Sequence, residues 1–162
     1  MTEELELNEM LTIRRQKLDE LRELGIEPFG KKYSVTHTAQ EVLADYEQHT
    51  KEELQEMAAK VCLAGRIMQK RGMGKAAFAS ENEFAAFGLL DIGDIIGVEG
   101  TVFKTKTGET TIKAAKIEVL TKSLYPLPEK FHGLKDVELR YRMRYLDLIM
   151  NPDVKETFIA RS

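Results

Sequence analysis

The segment from Glu3 to Leu24 has apolar residues at Leu7, Met10, Leu11, Leu18, Leu21 and Leu24, mostly three, four or seven apart. That spacing puts them on one stripe of an α-helix. Gly25 stands where a C′ residue is expected, and Pro28 keeps the helix from resuming. Arg14, Arg15, Lys17 and Arg22 lie on the other face. A solvated surface accounts for them, and contact with a phosphate backbone is the sharper alternative. Residues 30–38 (GKKYSVTHT) read as an extended connector, with helices predicted over 39–46 and 51–59. Thr50, with Glu53 three residues on, forms a capping box for the second of these.

From Val61 the texture changes to strand. VCLAGRIMQKRG (61–72) is apolar and β-branched, with Gly65 marking a bulge or bend. GMGK (72–75) is a turn and AAFA (76–79) begins a returning strand. SENEFAAF (80–87) is a short helix with Ser80 at its N-cap. DIIGVEGTVFKT (94–105) and TTIKAAKIEVLTK (110–122) are two more strands around a tight turn at KTG (106–108). The order strand, strand, helix, strand, strand resembles a five-stranded OB-fold Greek-key barrel with one strand missing. Pro126 and Pro128 hold the next segment extended as a linker. A helix is predicted over 137–150, stopping at Asn151-Pro152, and another begins at Asp153 and reaches the final residue, as in a fragment. The expected architecture is α+β, mainly β at its centre. Its parts are a helical extension (1–60), the barrel (61–122), and a linker with the start of a further domain (123–162).

Composition narrows the function classes. The 162 residues are 43% hydrophobic and 31% charged, a globular balance that excludes disordered and fibrous chains. A net charge of -3 excludes a uniformly basic nucleic-acid coat. The charge is uneven, however: residues 1–60 carry 8 Lys+Arg against 14 Asp+Glu, and residues 61–122 carry 9 against 7. An anionic partner should prefer the second region. The single cysteine, Cys62, excludes a disulfide framework and reads as a core thiol between Val61 and Leu63. His37 and His49 have no second ligand at metal-binding spacing. No apolar run approaches the roughly 20 residues of a membrane span. The acidic start MTEELELNEM is unlike a secretory or mitochondrial leader, so a cytoplasmic chain with no membrane partner is expected.

No GxxxxGK[ST] loop, GxSxG elbow, HExxH pair or CxxC is present. The Glu52/Glu53 pair sits on an amphipathic helix and needs no role beyond solubility. No catalytic residue and no cofactor is assigned, and the chain by itself is not expected to be an enzyme. What remains is a basic, glycine-punctuated face. Arg66, Lys70, Arg71 and Lys75 lie along the first strand and its turn, and Phe78 lies on the second strand. Lys104 and Lys106 approach the last hairpin, where Glu109 follows Gly108. Such a set suits single-stranded nucleic acid, since cations track phosphates, a ring stacks on a base and a carboxylate reads a base edge. The plainer alternatives are that Phe78 is a core residue and that the cations are solvated edge charge.

GRIMQKRGMGKAAFA, VFKTKTGE, LPEKFHGLKDVELRYRMRYLDLI and NPDVKETFIARS closely resemble bacterial lysyl-tRNA synthetases. They occur in the order and spacing of that family's N-terminal anticodon-binding domain and linker, and GIEPFG after the first helix also matches. The RYRxRYLDLI string is shared in part with aspartyl and asparaginyl synthetases, whereas PLPEKFHGLKD and FKTKTGE point to the lysyl branch. The resemblance implies a homodimeric ligase that uses ATP and Mg²⁺ to charge tRNA(Lys), with the barrel reading the UUU/CUU anticodon stem-loop. By the same resemblance Phe78 stacks on an anticodon base, Lys70 and Arg71 contact the loop, and Glu109 meets the central uridine. The family's class II core, which would hold lysine, ATP and Mg²⁺, begins near Ser162. This chain also departs from the pattern after Ala79, where two strand pieces of about five to six residues and a turn are absent. Two other readings stay open: a stand-alone nucleic-acid-binding or regulatory paralogue, and a structural module whose barrel contacts protein.

Overall fold

Helix α1 (Thr2–Glu23) opens the chain in the computed structural model, which describes residues 2–30, 32–70, 81–128 and 134–162. Its end follows from Gly25. With φ 77 this glycine turns the chain left-handed, and Gly25 N–H donates to Arg22 O (2.9 Å) while Ile26 N–H donates to Leu21 O (3.0 Å). That pair of bonds is a Schellman motif. Helices α2 (Ala39–Tyr46) and α3 (Lys51–Met57) each start from a capping box. Thr50 N–H donates to Glu53 Oε2 (2.7 Å) as the sequence predicts, and Thr38 N–H donates to Glu41 Oε2 (2.6 Å) in the same arrangement.

Among the described residues three strands follow, β1 (Lys60–Arg66), β2 (Ile95–Lys104) and β3 (Thr110–Thr121), with α4 (Glu81–Gly88) between the first two. They form an open antiparallel sheet in the order β1-β2-β3. The register pairs Leu63 with Val98 and Val98 with Ile117, so Val61, Leu63, Ile96, Val98, Val102, Ile112, Ile117 and Val119 share one face. Irregularities at Ile95/Ile96 and Glu99/Gly100 keep β3 on that face despite extra residues in it. The apolar face is covered at two places. Leu21 of α1 and Ala86 of α4 pack with Leu90 and Val119, while Val42 of α2 and Leu54 of α3 pack with Val61 and Val102. The helical segment 1–60 therefore shares its core with the sheet, inside one compact unit, Met1–Tyr125.

Two expectations change. The first strand ends at Arg66, and residues 67–70 lie outside it, because Ile67 is drawn to the 93–94 turn: its N–H donates to Asp94 O and its carbonyl accepts from Gly93 N–H, both at 2.8 Å. The turn at 72–75, the returning strand at 76–79 and the Ser80 cap lie outside the described residues. The second compact unit, Pro126–Ser162, holds α5 (Val137–Arg142), α6 (Arg144–Met150) and α7 (Pro152–Arg161). The single helix predicted over 137–150 is thus broken at Met143, with φ -114 and ψ 60. The cause is the buried Asp147 carboxylate, which accepts from Arg140 Nε (2.9 Å), Asn151 Nδ2 (2.6 Å) and the Arg144 guanidinium. Arg140 lies seven residues before Asp147, a rise of about 10 Å along a straight helix; the break brings the two within reach. Among the described residues no helix is long and apolar enough to cross a membrane.

Candidate nucleic-acid interface

The structure gives the candidate cations different employments. Arg66, the last residue of β1, donates from its guanidinium to Gly93 O (2.9 Å). Lys70 Nζ donates to Phe87 O (3.2 Å) and Leu90 O (2.9 Å) and stands 5.1 Å from the centre of the Phe87 ring. Lys104, the last residue of β2, donates to Glu47 O (2.7 Å). Two of these three cap helix ends, since Lys70 serves the C-terminus of α4 and Lys104 the C-cap carbonyl of α2. Helix C-termini present unpaired carbonyls and partial negative charge, which draw cations. Burial, followed by the repulsion of nearby Lys17, pushes the Lys70 pKa down.

Lys106 and Glu109 are exposed on the β2–β3 hairpin, and neither side chain has an ion pair among the described residues. The turn is as expected: Gly108 has φ 86, and Thr105 N–H donates to Glu109 O (3.0 Å). The Thr105 hydroxyl accepts from Glu109 N–H (3.1 Å) and lies 2.9 Å from the Thr107 hydroxyl, which stiffens the tip. Arg71, Lys75 and Phe78 lie outside the described residues. Of the eight candidates, the hairpin pair is what the described residues bring together on open surface.

At the end of β2 and β3 opposite the hairpin tip lies a charge cluster that sequence reading passes over. Lys122 is fully buried, and its Nζ donates to Asp91 Oδ2 (2.7 Å) and Asp94 Oδ2 (2.9 Å). Lys17 of α1 meets Asp91 Oδ1 at 2.6 Å, and Asp94 also accepts from Ser123 N–H (2.7 Å) and Asp91 N–H (2.8 Å). Burial works to raise the Asp91 pKa, but hydrogen bonds from Lys122 and Lys17 outweigh it and hold the carboxyl below its usual range. Arg14 is buried as well, donating to Ser123 O (2.9 Å) and Ile92 O (3.1 Å). The solvated face expected for α1 is therefore corrected at Arg14 and Lys17, which fasten the helix to the sheet. The signal was present in the sequence, because Arg14 falls on the same helical seam as Leu11, Leu18 and Leu21.

On the other face of the sheet the connector lies against β1 and β2. A Cβ at Gly97 would come within 2.3 Å of the Tyr33 ring, and the Cys62 thiol donates toward Tyr33 Oη (3.1 Å) and Ser34 O (3.2 Å). Thr36 N–H donates to Cys62 O (2.9 Å) along the outer edge of β1. Cys62 is therefore a half-buried thiol held by polar partners on the side away from the apolar core. Burial, and then the Cys62 contact, push the Tyr33 hydroxyl pKa well up. Among the described residues no cluster of three or more His, Cys, Asp or Glu side chains could hold a metal ion.

Comparison with known proteins shows that the sequence of this α+β unit is similar to aminoacyl-tRNA ligases. The chain is 51% identical over 175 residues to the lysine–tRNA ligase of Bacillus subtilis, with 97% of the chain and 35% of that protein covered. It is 50% identical over 175 residues to that of Bacillus cytotoxicus, with the same coverage. With that of Halalkalibacterium halodurans it is 49% identical over 180 residues, covering 100% of the chain and 36% of the relative. Over nearly its whole length this chain is homologous to the N-terminal third of bacterial lysine–tRNA ligases. No protein-family model matches it. The chain spans about a third of the length of these relatives. The last alignment runs over 180 positions against 162 residues here, so that relative carries 18 positions this chain lacks, the size of two short strands and a turn.

Proposed function

We propose that this chain is the tRNA-binding front part of a lysine–tRNA ligase and that its β-sheet unit receives the anticodon stem-loop of tRNA(Lys). The observation that supports this most is near-50% identity to lysine–tRNA ligases along the entire chain. The order β1-β2-β3, with a helix before β2, fits the first, fourth and fifth strands of an OB-fold barrel. In this reading the hairpin tip meets the bases. Glu109 accepts the N3–H of the central uridine while Lys106 neutralises a phosphate, and Arg71, Lys75 and Phe78 supply further cations and the stacking ring. Arg66, Lys70 and Lys104 serve the site by holding β1, α4 and the hairpin base in place. Lysine activation with ATP and Mg²⁺, and the homodimer of the whole ligase, belong to the part of the relatives that follows, and the work takes place in the cytoplasm with the rest of translation.

Binding of a tRNA(Lys) anticodon stem-loop, compared with a loop carrying a GCC anticodon, tests the proposal by fluorescence anisotropy across a salt series. The expected result is preference for the lysine loop and a slope of about -2 in log K against log salt, about -0.7 from each of Arg71, Lys75 and Lys106. Equal affinity for both loops overturns anticodon reading. The deficit of 18 aligned positions favours a second reading, a paralogue that holds single strands without choosing among them, and equal affinity is what that reading expects.

A further inference from the structure

The face of the sheet turned away from the apolar core is divided in charge. The register sets its side chains in cross-strand rows: Lys60–Thr101–Lys113 nearest the hairpin, then Cys62–Glu99–Lys116, then Ala64–Gly97–Glu118. The connector covers the two far rows, with the Tyr33 ring over Gly97 and Thr36 bonded to Cys62. Charge there is answered within the chain, since Lys116 pairs with Glu118 (3.8 Å) and stands opposite Glu99. The near row is open. Lys60 and Lys113 are exposed, and neither ammonium has a hydrogen bond or ion pair among the described residues. They flank the short side chain of Thr101 from the strands on either side, with their Cα atoms about 10 Å apart. Lys106 carries the same sign onward to the hairpin tip.

We infer that the row Lys60–Thr101–Lys113 takes backbone phosphates of a double-helical RNA stem whose loop lies at the hairpin tip. This rests on the tRNA-binding reading above and extends it from the loop to the stem. Lys113 follows Glu109 by four residues, about 13 Å along β3. A nucleotide whose base meets Glu109 does not span that distance, so phosphates at the row belong to chain leading away from the loop, where a hairpin is paired. Glu99 and Glu118 repel phosphate, which keeps the stem on the row and off the surface under Tyr33. Lysines meet phosphates as point charges and carry no base information. The row therefore adds affinity and orientation without choosing among anticodons.

Fluorescence anisotropy of residues 1–162 across a salt series tests it with two probes, the tRNA(Lys) anticodon stem-loop and the same loop sequence as an unpaired strand. Circular dichroism confirms that each variant is folded. Each stem phosphate adds about 0.7–0.9 to the steepness of log K against log salt, so the stem-loop slope is expected near -3.5, against about -2 from the loop cations alone. Lys60→Ala with Lys113→Ala returns it to about -2 and leaves the unpaired strand unaffected. Lys113→Ala alone shallows the stem-loop slope by about 0.7–0.9, whereas Lys116→Ala, the same charge change one row away, leaves it unchanged. The ratio of affinities for the lysine and GCC stem-loops is the same in every variant. A stem-loop slope that the double variant does not alter overturns the inference and leaves anticodon reading standing. Equal losses from Lys113→Ala and Lys116→Ala, or an equal loss on the unpaired strand, overturn it too, because they report general charge or a loop contact. Equal affinity for the two stem-loops, with the loss in slope intact, supports the row and overturns anticodon reading alone.

Discussion

Lys122 illustrates how single residues set the structure's weak points. Its ammonium is fully buried between two carboxylates, one of them, Asp94, equally buried. A buried pair of this kind adds little over an apolar filling, yet removing one partner strands the other charge. Lys122→Met should therefore cost about 3–5 kcal/mol, measured as a fall in the urea midpoint. The cluster also sets an acid limit. Because the folded pKa of Asp91 lies below its ordinary 3.8, its contribution is fully present above that value and is lost as pH falls through the lower folded one. Acid titration should show wild type losing stability below about pH 4 more steeply than Asp91→Asn, whose side chain does not titrate. Gly97 is a site of a different kind. An added methyl has no room beside the Tyr33 ring, so Gly97→Ala should destabilise by about 1–3 kcal/mol, with Tyr33→Ala partly relieving it. Lys70→Ala separates scaffold from interface. If its work is the α4 carbonyls, the variant lowers the melting temperature and leaves the salt slope of RNA binding unchanged, whereas Lys106→Ala shallows that slope by about 0.7 at unchanged stability.

Among the elements, helix boundaries prove to be governed by a few polar side chains. Thr38 and Thr50 each receive an N–H and are answered by a glutamate three residues on. Replacing either threonine by alanine should cost about 1 kcal/mol, read by chemical denaturation. Both boxes are written locally in the sequence, as are the Gly25 stop and the Gly108 turn, so α1, α2, the hairpin and the long strands β2 and β3 are legible from spacing alone. Elements whose limits depend on distant partners are not. β1 ends where the 93–94 turn captures Ile67, and the helix predicted over 137–150 breaks where Asp147 gathers Arg140, Arg144 and Asn151. The same distinction runs through the candidate site. A lysine written beside a strand looks alike whether it will meet a phosphate or a helix C-terminus. The carbonyls that claim Lys70 and Lys104 come from residues 17 to 57 positions away in the chain. The exposure of Lys106 and Glu109 is legible because a tight turn leaves its tip in solvent whatever surrounds it.

At the scale of the whole molecule, the open sheet and the shortened alignment bear on one question, whether the barrel can still read bases. Among the described residues the sheet has three strands, with β1 and β3 at its edges, and a closed barrel would pair both with further strands. The relative from Halalkalibacterium halodurans aligns over 18 more positions than this chain has, and the resemblance to lysyl-tRNA synthetases implies that the shortfall falls after Ala79. If those residues supply the strands that close the barrel, the present chain retains the hairpin but only part of the wall against which a base is pressed. Grafting the relative's extra residues between Ala79 and Ser80 should then do two things together. Urea denaturation should show a steeper transition as well as a higher midpoint, because more surface is buried on folding. Discrimination between lysine and GCC anticodon loops should rise by about 1–3 kcal/mol per base newly stacked, while the salt slope moves only by the cations the graft itself brings. Glu109→Gln in the grafted protein should abolish preference at the central base and leave overall affinity for other loops unchanged or slightly higher, since a charge that repels phosphate is gone. A graft that folds more tightly yet discriminates no better would show that closure serves stability alone and that the hairpin does not read the anticodon.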